Sequence, residues 1–230
     1  MCAMRASRSL KSAPARVASS DSPLSRRKKP SQERSRTTVQ SIFAATDELV
    51  REHGFGNVGT RQIAERAGVS IGSLYQYFPT YEAILLAWYE NVAAGAAQKM
   101  RTTTMDILDK PQIEAVRIAL TALLTVLERN SLVLLRMPTE APEIERVIGA
   151  TSFLTLNRTA MRLFFAQQHE FDPQQTEQHI FFLETLLMSL FRRWVLEKPR
   201  TITRSTLIEQ AVGVVDDYLK RNVVAPKRKR

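Results

Sequence analysis

The spacing of apolar residues constrains this chain more than any other feature: from Thr37 onward they recur at steps of three and four and nowhere alternate over the length of a strand. A chain patterned in this way buries its apolar surface by packing helix on helix, so the fold class is all-α. Val39, Ile42, Phe43, Thr46, Leu49, Val50 and His53 share one face of a first helix, which ends at Gly54, a residue suited to a left-handed cap. Thr60 is placed to cap a second, short helix that buries Ile63, Ala64 and Ala67, and Gly68 closes it. Ser70 is placed to cap a third, with Ile71, Leu74 and Phe78 inward and Pro79 as its stop. Thr80 then opens a longer helix through Ile84, Leu85, Trp88 and Val92. Beyond Lys110 one stripe joins Ile113, Val116, Leu120, Leu123, Leu124 and Leu127, and Pro138 with Pro142 breaks the chain. The stretch from 142 to about 168 is apolar on nearly every side, which implies a central buried helix. Asp172, Pro173 and Gln175 have the form of an N-cap, a first-turn proline and a capping-box partner, opening a helix to about Glu197 with Ile180, Leu183, Leu187, Leu190 and Trp194 on its stripe. A final helix carries Leu207, Ile208, Ala211, Val212, Val215 and Tyr218.

Composition excludes several classes. A single cysteine, Cys2, leaves no disulfide framework. The longest apolar runs, Ile118 to Leu127 and Phe181 to Phe191, fall short of a membrane helix or carry Glu184, so no bilayer span is expected. No apolar signal region precedes Thr37, which argues against secretion, and the Arg- and Ser-rich start has at most the composition of a transit peptide. The net charge of +10 is unevenly placed: residues 1–36 hold +8, the last four residues +4, and residues 37–226 a net −2. The first 36 residues are too polar and aperiodic to fold alone and read as a disordered basic arm, and residues 223–230 as a basic tail. Two readings of these tails stand: solubilising ends, or attraction to a polyanion centred on Arg26, Arg27, Lys28 and Lys29.

Motif by motif, most catalytic chemistry falls away. Gly54, Gly56 and Gly59 match a dinucleotide fingerprint, with Glu82 downstream, but a helix rather than a strand precedes them, so no cofactor is implied. His53, His169 and His179 lie far apart with no companion cysteines, and no metal site is implied. No nucleophile elbow, P-loop or carboxylate pair appears, and the chain does not read as an enzyme. The informative stretch is Thr60 to Phe78, two short helices joined by Ala67, Gly68, Val69 and Ser70 in a tight bend: a helix-turn-helix. With Ile71, Leu74 and Phe78 inward, Gly72, Ser73, Gln76 and Tyr77 point outward and Tyr75 lies on the flank. Gly72 admits close backbone approach, Gln76 can pair with adenine, and the hydroxyls of Ser73, Tyr75 and Tyr77 can hold phosphates.

On these residues the chain resembles TetR-type bacterial transcriptional regulators: Ile63-Ala64, Ala67-Gly68-Val69-Ser70, Gly72-Ser73-Leu74-Tyr75 and Tyr77-Phe78-Pro79 carry the likeness, over about residues 37–86. The resemblance implies a DNA-binding domain at 37–86 and a ligand-sensing and dimerisation domain at 87–222. It implies a homodimer released from operator DNA by a small molecule, acting in the bacterial cytoplasm with the nucleoid. By the same resemblance Ser70, Ser73, Tyr75 and Tyr77 meet phosphates or base edges, Ile71, Gly72 and Gln76 face bases, and Thr60 and Arg61 anchor the DNA backbone. Tyr81 stands where the family usually has Lys, so that phosphate contact is lost or passes to a hydroxyl.

In the sensor, Arg158 and Arg162 share a face within an apolar stretch. Either they pair with acids or reach solvent by their apolar stems, or one binds an anionic inducer beside Trp88, Phe153 or Phe164. The stripes of the last two helices exceed what one chain can cover, which places dimerisation at Leu183, Leu187, Leu190, Trp194, Val212 and Val215. The rival reading is a helical bundle acting through a protein partner, with a vestigial DNA face; salt-dependent DNA binding separates the two.

Overall fold

The computed structural model describes residues 33–148, 153–168 and 173–222. The arm before Glu33, the tail after Asn222, the Asp172 cap and His169 lie outside them. Ten α-helices fill the described residues, with no strand among them. Helix α1 (Glu33–His53), α2 (Thr60–Arg66) and α3 (Ile71–Tyr77) form the N-terminal unit, and a 3-10 turn at Phe55–Asn57 lies between the first two. Helix α1 begins at Glu33 rather than Thr37, so its first turn takes in residues expected to belong to the arm. His53, expected on the buried face, is exposed.

The two left-handed glycines act as their positions require. Gly54 (φ 79°) donates to the Val50 carbonyl at 2.8 Å, and Gly68 (φ 67°) lies in a cap where Val69 donates to Ala64 at 3.0 Å. Ser70 and Thr80 cap as their sequence positions imply: Ser70 Oγ accepts from the Ser73 amide at 3.0 Å, and Thr80 Oγ1 from the Ala83 amide at 3.2 Å. Thr60 is instead the first residue of α2, and Gly59 precedes it as the cap; Gln62 Oε1 reaches back to accept from the Gly59 amide at 2.8 Å.

Helix α4 (Tyr81–Asp106) leads into the C-terminal helices, α5 (Gln112–Arg129), α6 (Met137–Glu140), α7 (Pro142–Ile148), α8 (Phe153–Gln168), α9 (Pro173–Glu197) and α10 (Arg204–Asn222). Helix α4 packs chiefly on α8, and α5 on α10. Helical structure does not stop at Pro138: a π turn over Leu132–Arg136 carries the chain into α6, where Pro138 sits at an N-terminal position that needs no amide donor. The turn comes earlier, since Leu132–Glu140 lies at 85° to α5. Within α5, Ile113 departs from its expected stripe and is exposed.

The stretch from 142 to 168 is described as two helices, α7 and α8, and α8 is amphipathic rather than apolar all round. Phe153, Ala160 and Phe165 are buried, while Thr155, Thr159, Arg162 and Leu163 face outward. Among the described residues no single helix is long and apolar enough to cross a membrane.

Candidate nucleic-acid interface and sensor cavity

The interface begins with what holds α3 in place. Leu74 and Phe78 are fully buried, and Phe78 packs on Phe43 of α1 with ring centroids 6.0 Å apart. Arg66 ties α2 to α1 through Glu48 at 3.2 Å and Glu52 at 3.0 Å, which holds the Glu52 carboxyl below its ordinary range. With the inner face fixed, Gly72, Tyr75 and Gln76 are exposed and Ser73 half-buried, so of the expected outward set Gly72, Ser73 and Gln76 face out, together with the flanking Tyr75, and Tyr77 does not.

Two orientations are reversed. Ile71 points outward, 43% exposed. Tyr77 is buried at 7%, packed against Phe78, and its hydroxyl donates to Ser35 Oγ at 3.2 Å. Tyr77 follows Leu74 by three residues, shares its buried face and is held there by Phe78 and by Ser35 of α1, whereas Ile71 is the first residue of α3 and stays exposed. Tyr77 is thus a packing residue, and Ile71 joins the outward surface.

Thr60 and Tyr75 share a hydrogen bond of 2.9 Å between their hydroxyls, joining the start of α2 to α3 at the edge of that surface. Arg61 is exposed beside Thr60 and makes no ion pair among the described residues. The Tyr81 hydroxyl donates to the Phe55 carbonyl at 2.9 Å, and burial pushes the phenol up to about 12. The side chain thereby braces α4 against the turn before α2.

Among the C-terminal helices a cavity of about 100 Å³ lies between α4, α5, α8, α9 and α10, walled by residues that include Met100, Leu123, Phe164, Leu187 and Leu219. Small residues, Ala119 and Ala160, leave the space. Of the expected ligand residues only Phe164 lines it. Trp88 is buried in the core of α4, and Phe153 is buried, its amide donating to the Tyr89 hydroxyl at 3.2 Å. Both arginines are paired: Arg158 Nε donates to Glu184 at 2.8 Å, and Arg162 grips Glu177 at 2.6 and 2.9 Å. Thr104, Ile107 and Ala160 carried no sequence signal as ligand residues, because one helical stripe cannot reveal which neighbouring stripes fail to fill the space between them.

The apolar surface left uncovered also differs from expectation. Leu183, Leu187, Val212 and Val215 are buried within the chain, and Trp194 is half-buried with its Nε1 donating to the Ile202 carbonyl at 2.9 Å. Of the expected dimer residues only Leu190 is among the exposed large apolar side chains; with it stand Phe182 (49% exposed), Leu186 and Val214. Phe182 stacks on Tyr218 of α10 at 4.9 Å, so this face is continuous across both helices. Helix α9 carries two apolar stripes, and the one aimed at α5 and α8 belongs to the core.

Among the described residues no group of three metal-ligating side chains comes together. Residues 42–88 match the sequence profile of bacterial regulatory proteins of the tetR family. The HTH-type transcriptional activator FasR of Mycolicibacterium smegmatis is 37% identical over 67 residues, which are 27% of this chain and 31% of FasR, so the match spans about a third of that relative's length. A TetR-family regulator structure from Mesorhizobium loti superposes with a TM-score of 0.66 over 84% of this chain and 98% of its own, at 14% identity. A Thermus thermophilus FadR, a TetR-family repressor solved with lauroyl-CoA, gives 0.53 over 84% and 98%, at 22% identity. These two likenesses extend the shared fold beyond the N-terminal unit to the C-terminal helices.

Proposed function

We propose that this chain, a member of the TetR family of bacterial regulatory proteins through residues 42–88, is a homodimeric repressor that binds an inverted-repeat operator and is released by an apolar effector. The observation that carries the reading is the exposed face of α3, where Gly72, Tyr75 and Gln76 are presented on a helix capped by Ser70 and anchored by Leu74 and Phe78. Such a helix fits the major groove: Gln76 supplies a bidentate partner for a base, Ser73 and Tyr75 with Thr60 supply hydroxyls, and Arg61 a cation for phosphate. Two copies meeting through Phe182, Leu186, Leu190 and Val214 would present two such helices related by a two-fold axis, hence an inverted repeat. The apolar cavity and the lauroyl-CoA complex of the Thermus thermophilus neighbour together favour an effector with an aliphatic part. Its site of action is the bacterial cytoplasm, where the operator lies.

Selection from random DNA followed by gel shift tests the reading. An inverted repeat is expected, with binding weakened by lauroyl-CoA. Recovery of no inverted repeat refutes the dimeric operator, and tighter binding with lauroyl-CoA refutes release.

A further inference from the structure

A second pocket, of about 460 Å³, opens between α4, α6, α7, α8 and α9 and shares no lining residue with the 100 Å³ cavity. Its size suits a small organic molecule. Leu134 and Leu135 of the π turn, with Ile148, Leu154 and Met188, give it an apolar wall. The lining has one charged side chain, Arg192 of α9.

That guanidinium is held in place yet keeps donors free. Its Nη2 donates to the Thr139 hydroxyl of α6 at 3.0 Å, and both residues line the pocket. Among the described residues Arg192 makes no ion pair: Glu140, next to Thr139, is held by Arg136, and Glu197, further along α9, by Arg193. Arg158 and Arg162, by contrast, are closed to an anion by Glu184 and Glu177. The rest of the lining agrees in sign. Tyr89 accepts from the Phe153 amide at 3.2 Å, and burial pushes its phenol up, so it keeps its own proton. Phe153 and Leu154 are the first residues of α8, which puts the positive end of that helix in the same wall. No carboxylate lines the pocket to oppose an anion.

We propose that this pocket binds an amphipathic monocarboxylate, its carboxylate on the Arg192 guanidinium and its apolar part against Leu134, Leu135 and Met188. Arg192 selects for the charge by forked hydrogen bonds, and the π turn and α9 select for an apolar body. This site is separate from the 100 Å³ cavity and does not rest on the reading of that cavity.

The test is calorimetry on the full chain with octanoate and octanamide, which match in length and differ in charge. A charge-assisted hydrogen bond is worth roughly tenfold or more in affinity. Arg192→Gln should therefore weaken octanoate by about tenfold or more and shift octanamide by less than about twofold. Arg192→Lys, which keeps the charge and loses the fork, should fall between Arg192→Gln and the unaltered chain. Met188→Trp, which fills the pocket, should weaken octanoate at least as much as Arg192→Gln does. Arg192 is exposed, so its variants keep the core intact, and should Met188→Trp fail to fold, the Arg192 series decides alone. The inference is overturned if octanoate does not bind, if Arg192→Gln binds it as tightly as wild type, or if octanamide loses as much as octanoate. Undiminished octanoate binding by a folded Met188→Trp overturns it too. The operator reading, measured by gel shift with lauroyl-CoA, stands or falls separately.

Discussion

Replacing Phe182 by alanine tests where two copies of the chain meet. The side chain is 49% exposed in the single chain and stacked on Tyr218 by its other face, so a partner would cover about half of its surface. A Phe buries about 150–250 Å², so roughly 100 Å² leaves water on association, worth about 2–3 kcal/mol at ~25 cal/mol per Å². A two-fold interface uses the residue twice. Phe182→Ala should therefore weaken the dimer by about 4–6 kcal/mol, a factor of about 10³–10⁴ in Kd. Sedimentation velocity across a concentration series reads the shift, and far-UV circular dichroism should show an unchanged fold. Leu187→Glu provides the contrast: Leu187 is 7% exposed and lines the sensor cavity, so a charge there should lose the fold rather than yield folded monomers. A Phe182→Ala dimer as tight as wild type, or a folded monomeric Leu187→Glu, refutes this placement.

Gln76→Ala should relax base choice at one position of each half-site at a cost of about 1–3 kcal/mol, read by competition gel shift; an unchanged base preference would remove Gln76 from base readout. Tyr75→Phe breaks the bond to Thr60 and should weaken all sequences about equally, whereas Tyr77→Phe, which loses only the buried contact to Ser35, should leave base preference intact. Deleting residues 1–30 should flatten the slope of log affinity against log salt by roughly two to four units per dimer, at about 0.9 per phosphate released, and an unchanged slope shows that the arm is a solvated tail. Burial pushes His179, beside Tyr218, below its ordinary pKa, so the unfolded chain binds the proton more readily. Stability from this group is complete above about pH 6.5 and declines as pH falls through the lower folded value, so Tm should drop on acidification and His179→Asn should flatten that drop.

Local chemistry on the sequence determined the helices and their ends. Gly54, Gly68, Ser70 and Thr80 lie where the backbone needs a left-handed residue or a hydroxyl cap, and those needs are met within four residues along the chain. The bend from Ala67 to Ser70 and the outward placing of Gly72, Ser73 and Gln76 were legible for the same reason, because a helical period assigns faces without reference to distant residues, although the same period put Tyr77 outward and Ile71 inward. What the period cannot assign is which apolar face meets which neighbour. Ile71 and Tyr77 exchanged places because Phe78 and Ser35 of α1 hold Tyr77 inward, while Ile71, at the first position of α3, is left exposed. Helix α9 offered two apolar stripes, and only the packing of α5 and α8 against one of them left Phe182 and Leu186 free and took Leu187 into the core. The arginines of α8 looked available for an anion until the fold brought Glu177 and Glu184 beside them.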